Sequence, residues 1–284
     1  MWSPHVSEEA FAAFADGNEA SDGANVGAMD LGLHGKAALV TGSSRGIGRA
    51  AARALAAEGA VVTVVARGAS ELEGVVDEIV HAGGRAHGFV CDVATRDGAR
   101  QAIEGAVARM GGLDILVNNV GGSTGSGPFD SSDEDTWERV VDANLMSAVW
   151  CSRAALRPFE ERGGGTIVHV TSICGLEYCR SAPYTAAKGA LASLTKEMAV
   201  DLAPRKIRVV AVAPGSILFP GGSWDRRRTT NPAQIEKMLA DELPWGRFGT
   251  PEEVADVIAF VASPRASWIT GSSVVVDGAQ GRRV

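Results

Sequence analysis

Seven short apolar runs, most of them rich in Val and Ile, punctuate the chain at residues 36–40, 61–65, 86–91, 115–117, 166–171, 207–213 and 273–276. The stretches between them are longer, and their apolar positions recur with a helical period over about 49–58, 70–82, 97–110, 132–159, 184–202, 232–242 and 251–262. Continuous apolar runs bounded by turn residues suit strands covered on both faces, and the periodic stretches suit amphipathic helices. Their alternation, without a break in composition, predicts an α/β protein: one doubly wound parallel sheet of seven strands with helices on both faces. Ser70-x-x-Glu73 predicts a capping box at one helix start. A long helix is expected from Ser132 to about Phe159.

Residues 1–30 do not share this pattern. The segment 2–27 is rich in Ala, Gly, Asp, Glu and Asn and lacks the basic and apolar regions of a secretory signal. Residues 8–14 fit a short amphipathic helix with Phe11 and Phe14 on one side. A flexible leader, or a start assigned ahead of Met29, is the plainer expectation for a terminus of this composition. The expected plan is therefore an extension over 1–30 and a single domain over 31–284.

Composition narrows the function classes. With 45% hydrophobic and 21% charged residues, the 284-residue chain reads as a soluble globular protein with a large core. Its net charge of −7 offers no footprint for nucleic acid or an anionic membrane. No apolar run approaches the roughly 18 residues needed to span a bilayer. Cys91, Cys151, Cys174 and Cys179 lack metal-ligand spacing, and so few in a chain this long suggest a reducing, cytoplasmic setting. His5, His34, His81, His87 and His169 form no ligand cluster, so no metal is expected.

Two motifs carry chemistry. The run 36–40 leads into Thr41-Gly42-Ser43-Ser44-Arg45-Gly46-Ile47-Gly48, then a helix and another strand. Glycines at 42, 46 and 48 permit a tight turn and close backbone approach, and the following helix N-terminus offers free N–H groups to a pyrophosphate. Further on, Tyr184 and Lys188 stand four apart on one helical face, with Ser172 upstream. An ammonium beside a phenol favours the phenolate and lowers its pKa, and a nearby hydroxyl can hold a substrate oxygen for proton exchange. That equipment interconverts an alcohol and a carbonyl. Alone, Tyr184 has a plainer reading as a core aromatic and Ser172 as a strand-end cap.

Taken together, these residues resemble the classical short-chain dehydrogenase/reductase family, in particular its 3-oxoacyl-carrier-protein reductase branch, over about residues 33–278. Asn118-Asn119-Val120-Gly121 is similar to the family's Asn-Asn-Ala-Gly motif, with Val120 where Ala is usual. Pro214-Gly215 is similar to the motif after the sixth strand. The resemblance implies a Rossmann fold and a catalytic tetrad of Asn144, Ser172, Tyr184 and Lys188. Tyr184 would exchange the proton, Ser172 would orient the carbonyl oxygen, Lys188 would bind the nicotinamide ribose and tune Tyr184, and Asn144 would hold a water. It further implies dinucleotide contacts from Gly42, Ser44, Arg45, Gly46, Ile47, Gly48, Asp92, Val93, Asn119, Val120, Gly121, Tyr184, Lys188, Pro214, Gly215 and Ile217. Asn118 would tie strands together, and Gly121 would let the backbone approach the cofactor. The family also implies a homotetramer built through the helices at 132–159 and 184–202 and the last strand.

Cofactor choice turns on the end of the second strand. Val64-Val65-Ala66-Arg67 has no acid to hold a ribose 2′-hydroxyl, and Arg67 suits a 2′-phosphate, with Arg45 as a second cation. NADP(H) is expected over NAD(H). The segment 216–247 should form the substrate lid, with Ile217, Leu218, Phe219 and Trp224 facing an apolar pocket. There the family's Thr is replaced by Phe219 or displaced. Arg226-Arg227-Arg228 fits a solvated face better than a site for a phosphopantetheine, carboxylate or acidic carrier protein. The expected activity is ketoreduction of a small-molecule carbonyl, free or bound to a carrier protein or CoA. Oxidation of a cyclic, steroid-like or aromatic alcohol is the neighbouring alternative, and a non-catalytic dinucleotide sensor is the alternative of another class.

Overall fold

The computed structural model describes residues 30–282. The readings of residues 8–14 and of the leader before Met29 lie outside the described residues. The elements alternate as β1 (Ala37–Thr41), α1 (Gly46–Ala57), β2 (Val61–Ala66), α2 (Ala69–His81), β3 (Arg85–Val90), α3 (Arg96–Met110) and β4 (Ile115–Asn118). They continue as α4 (Glu134–Val141), α5 (Ser147–Glu161), β5 (Gly165–Val170), α6 (Ala182–Leu202), β6 (Ile207–Pro214), α7 (Ser223–Thr230), α8 (Pro232–Glu242), α9 (Pro251–Ala262) and β7 (Ser273–Val276).

All seven strands are parallel, in the order β3-β2-β1-β4-β5-β6-β7. The side-chain period of two sorts β1 between two cores: Ala38 and Val40 pack with α1, α2 and α9, while Leu39 packs with α3, α5 and α6. Every residue of β1 and β4 is buried, as a doubly covered sheet requires. The order reverses between β1 and β4, and in open α/β sheets the crevice for a ligand opens there, beyond the carboxyl ends of the strands.

Three local expectations change. The Ser70-Glu73 box does not form: α2 starts at Ala69 behind Gly68, with no side-chain cap. Thr250 and Glu253 form a capping box instead, at α9. The long helix is split. Asp133 caps α4 through the Thr136 N–H, and a π turn over Asp142–Met146 separates α4 from α5. Such a turn inserts a residue into the ladder without disturbing the apolar pattern on either side. Finally α7, with the polar sequence SWDRRRTT, forms inside the lid where no helix was expected.

Candidate active site

The glycine turn is held by β4. Asn119 Nδ2 donates to the carbonyls of Thr41 and Gly42, both at 3.0 Å, and its backbone N–H donates to Thr41 Oγ1 at 3.0 Å. Gly42 and Gly46 have φ of +63° and +55°, which favours glycine. A methyl on Gly48 would lie 2.4 Å from both Asn119 Nδ2 and the Gly42 carbonyl oxygen, so only glycine admits this packing. Helix α1 has no side-chain cap at Arg45, leaving its first N–H groups to face a ligand. Cradle and uncapped helix end together fit the pyrophosphate of a dinucleotide.

The roles of the two asparagines differ from expectation. The Asn118 backbone pairs β4 with β5, but its side chain does not tie strands: Nδ2 donates to Ser152 Oγ on α5 at 3.0 Å, and the Asn119 side chain ties β4 to the turn after β1. Adjacent residues at a strand end face opposite ways, so one points to each side of the sheet. Gly121 makes room for protein groups. A methyl there would sit 2.4 Å from Asn144 Oδ1 and 3.1 Å from Lys188 Nζ.

Asn144, fully buried, sits in the π turn, which aims it at the loop after β4. Its Oδ1 accepts from Gly122 N–H at 2.9 Å, and its Nδ2 donates to the Gly122 and Val140 carbonyls at 3.0 and 2.8 Å. Lys188, 3% exposed, donates from Nζ to the Val170 carbonyl at 2.7 Å and lies 5.8 Å from the Tyr184 ring centroid. Burial pulls its pKa down to about 7. Ser172 follows β5 and is buried, with its hydroxyl placed to favour the Tyr184 phenolate. The structure thus brings Asn144, Ser172, Tyr184 and Lys188 to one place.

The expected lowering of the Tyr184 pKa is reversed in the protein alone. Burial raises it, and the Ser172 hydrogen bond offsets part of the rise. An ammonium drawn toward neutrality at ring-centroid distance supplies too little field to overcome desolvation. Beneath the tetrad, His169 bonds Thr195 Oγ1 through Nδ1 at 3.0 Å and approaches Ser152 Oγ through Nε2 at 3.5 Å. Burial, then Lys188, lowers its pKa to about 3, so this imidazole stays neutral.

Around this centre, Arg67 follows β2, is 79% exposed, and has a guanidinium nitrogen 3.8 Å from an Asp92 carboxylate oxygen beyond β3. Val93 is buried. Arg45 does not join Arg67: its Nη1 donates to the Gly221 carbonyl of the lid at 3.3 Å. Ile47 packs into the core, and Ile217, buried, pairs with Gly249. Phe219 places its ring against Gly46, where a methyl would stand 2.7 Å from the ring. The lid has its own apolar cluster of Ile235, Leu243 and Phe248 with Leu218 and Trp224.

Some participants were missed in the sequence. Gln280 Oε1 accepts from Ser216 N–H at 2.8 Å and its Nε2 donates to Ser216 Oγ at 3.0 Å, tying the segment after β7 to the lid start. Gly215 is glycine because a methyl would meet Asp277 and Gln280 at 2.7 and 2.8 Å. No spacing rule relates positions so distant in the chain. Cys174 and Cys179 form a disulfide, so cysteine number no longer argues for a reducing compartment. Among the described residues no His, Cys, Asp or Glu cluster could hold a metal, and no helix is long and apolar enough to cross a membrane.

A glycine cradle at the switch point, beside a half-buried tyrosine and a buried lysine, serine and asparagine, defines a dinucleotide-binding oxidoreductase of the α/β class. The chain belongs to the classical short-chain dehydrogenase/reductase family. A family model described as enoyl-(acyl carrier protein) reductase matches residues 42–279. The chain is 36% identical over 252 residues to 3-oxoacyl-[acyl-carrier-protein] reductase FabG of Aquifex aeolicus, covering 88% of this chain and 99% of that one. Its fold is similar to L-sorbose reductase of Gluconobacter frateurii, complexed with NADPH and L-sorbose (33% identity, TM-score 0.84, 90% of this chain and 100% of that one). It is also similar to a 7α-hydroxysteroid dehydrogenase complexed with NADH and 7-oxo glycochenodeoxycholic acid (34% identity, TM-score 0.81, 88% of this chain and 96% of that one). The family uses a nicotinamide dinucleotide, and the two similar structures hold NADPH in one case and NADH in the other.

Proposed function

We propose that the protein is an NADP(H)-dependent ketoreductase of the 3-oxoacyl-reductase type, reducing a ketone to a secondary alcohol. The observation that carries this reading is the gathering of Tyr184, Ser172 and Lys188 beside the glycine cradle: a phenol able to give its proton to a carbonyl oxygen has its ring centroid 5.8 Å from a buried lysine nitrogen. Bound NADPH would supply the hydride. Ser172 holds the carbonyl oxygen and steadies its developing charge. Tyr184 gives that oxygen its proton. Lys188, with N–H donors beyond the one spent on Val170, binds the nicotinamide ribose and adds positive charge beside the phenol. Asn144, fixed through Gly122, braces the loop beside Lys188 and holds a water for proton resupply.

The preference for NADP(H) rests on Arg67. It is exposed at the end of β2, no carboxylate occupies that strand end, and its guanidinium suits a 2′-phosphate. Asp92 is close enough to compete for it, which would moderate the preference. Arg45, engaged with the lid, adds nothing at that position. The apolar lid, where Trp224 and Phe248 lie 5.4 Å apart between ring centroids, supports a second reading: oxidation of a cyclic or steroid-like alcohol. A homotetramer belongs to the same proposal. Phe260 on α9, Trp268 in the segment between α9 and β7, and Val275 on the edge strand β7 are exposed, where a second subunit would cover them. Purified protein assayed with NADPH and NADH against an acetoacetyl thioester, a ketone panel and cyclic alcohols tests the proposal. NADPH-dependent ketone turnover, with the preference reversed toward NADH in Arg67→Asp, is the expected result. Tight NADPH binding without turnover of any carbonyl or alcohol would sink it and favour a sensor.

A further inference from the structure

The mouth of the site carries a covalent feature that hydride transfer does not use. Cys174 and Cys179 lie five apart in the loop between Ser172 and Tyr184, joined as a disulfide with Cα atoms 5.3 Å apart. Both are half-buried, at the surface of the loop. The other two cysteines differ. Burial pushes the Cys151 thiol up to about 12 and the Cys91 thiol up to about 11, which leaves both poor nucleophiles at neutral pH.

The ring closed by this disulfide touches the catalytic region on one side only. Cys174 N–H donates to Ser172 Oγ at 3.1 Å. Gly175 lies so close to α6 that a methyl would stand 2.6 Å from the Lys188 carbonyl. The first half of the loop is thereby seated on Ser172 and on the Lys188 turn without help from sulfur. The second half is held differently. Glu177 accepts from Arg282 N–H at 3.0 Å, Tyr178 is 81% exposed, and Arg180 takes a left-handed φ of 54°, which residues bearing a side chain adopt rarely. Glu177 N–H also donates to the Ile173 carbonyl at 3.0 Å, so the Cys174–Cys179 bond ties 178–180, beyond that contact, back to the seated half.

We propose that Cys174 and Cys179 are a thiol–disulfide exchange site that sets the shape of the substrate mouth. Oxidised, the pair holds 176–179 as a fixed rim. Reduced, it releases 178–180 and leaves Ser172, Tyr184 and the glycine cradle in place. The exchange partner is a dithiol. Its thiolate attacks one cysteine sulfur, the S–S bond breaks, and the other cysteine leaves as a thiolate that takes a proton. The second thiol of the partner then displaces the mixed disulfide. Two electrons and two protons pass to the cysteine pair, and the dithiol becomes a disulfide.

The inference rests on the ketoreductase reading only for its kinetic readout. The full-length protein would be equilibrated with oxidised or reduced dithiothreitol, and its thiols counted after denaturation. Two thiols are expected in the oxidised state, from Cys91 and Cys151, and all four cysteines in the reduced one. Trypsin should cut after Arg180 at least about fivefold faster in the reduced state, because cleavage follows local opening. The ketone KM should rise roughly three- to tenfold on reduction, as expected when a binding loop must be reordered, with the NADPH Kd within about twofold. The Cys174→Ser/Cys179→Ser variant should show the reduced values in both buffers. Four thiols under oxidising conditions, or equal cleavage and KM in the two states, would overturn the proposal. So would a reductant effect that persists in the double variant. If no ketone is turned over, the hydride-transfer reading fails, while thiol count and cleavage still decide the exchange site.

Discussion

Lys188 and Arg208 are both cations withdrawn from water, at opposite ends of the same parallel sheet, and the protein surrounds them differently. Arg208, near the start of β6, spends its guanidinium on four acceptors: the carbonyls of Ile269, Ala262 and Ser263 and the hydroxyl of Thr166, at 3.0–3.3 Å. It fastens β5 and β6 to the end of α9. Lys188, at the carboxyl end of β5, makes one hydrogen bond, to Val170, and is held near neutrality by burial. A cation whose donors are filled by fixed acceptors has no capacity left for a ligand. One with donors unspent and its charge poorly solvated gains by meeting a ribose hydroxyl or a developing oxyanion. Burial alone marks neither as functional; the number of satisfied donors separates them.

Substitutions should split the two ends cleanly. The largest effect is expected from Tyr184→Phe, a fall of roughly a thousandfold in kcat with NADPH affinity nearly unchanged, measured by steady-state kinetics and cofactor titration. Substantial residual turnover would remove the chemistry from this end. Lys188→Met should lower kcat by about a hundredfold and weaken cofactor binding, yet leave Tm unchanged or higher, because an ammonium buried at a cost has been removed. Arg208→Met should do the opposite. Four acceptors lose their partner, so a destabilisation of about 2–4 kcal/mol in urea unfolding is expected, with kcat within about threefold of the parent. If Arg208→Met silenced the enzyme while leaving it stable, the comparison would fail.

The sharpest separation of the two cations is in pH. The folded pKa of Lys188 lies below its unfolded value, at about 7 against 10.5, so the folded state binds fewer protons than the unfolded chain between those values. Stability therefore rises with pH across that window, and the penalty is fully present below about pH 7. Lys188→Met removes this penalty. Its advantage over the parent in urea unfolding should be greatest at pH 6 and shrink toward pH 10. A constant difference would mean that Lys188 is an ordinary charged lysine.

Much of this arrangement was legible beforehand, for reasons that differ by element. Helices Pro232–Glu242 and Pro251–Ala262 and strand Ser273–Val276 have the bounds read from the chain, since each helix opens on a proline at its first position and the strand is a bounded apolar run. The π turn carrying Asn144 was not legible, because the apolar pattern continues through it. Helix α7 was missed because SWDRRRTT has no apolar stripe; cation–π contact of Arg227 with Trp224 and the Arg228–Asp225 pair accompany it instead. Tyr184, Lys188 and the glycine turn were visible because their geometry is local, one helical turn in one case and one strand-to-helix junction in the other.

Chain order and local spacing were enough for the doubly wound fold, the glycine turn and the Tyr184–Lys188 pair, because strand period, helix period and glycine's conformational freedom act over a few residues. Asn144 came only through the family resemblance. Four features instead depend on groups far apart in sequence or on the depth at which they lie. These are the upward push on the Tyr184 phenol, the division of labour between Asn118 and Asn119, the engagement of Arg45 with the lid, and the closing of the segment after β7 on Ser216 by Gln280. Desolvation and long-range hydrogen bonds exist only once the sheet has closed over them, and at those positions packing decided the chemistry.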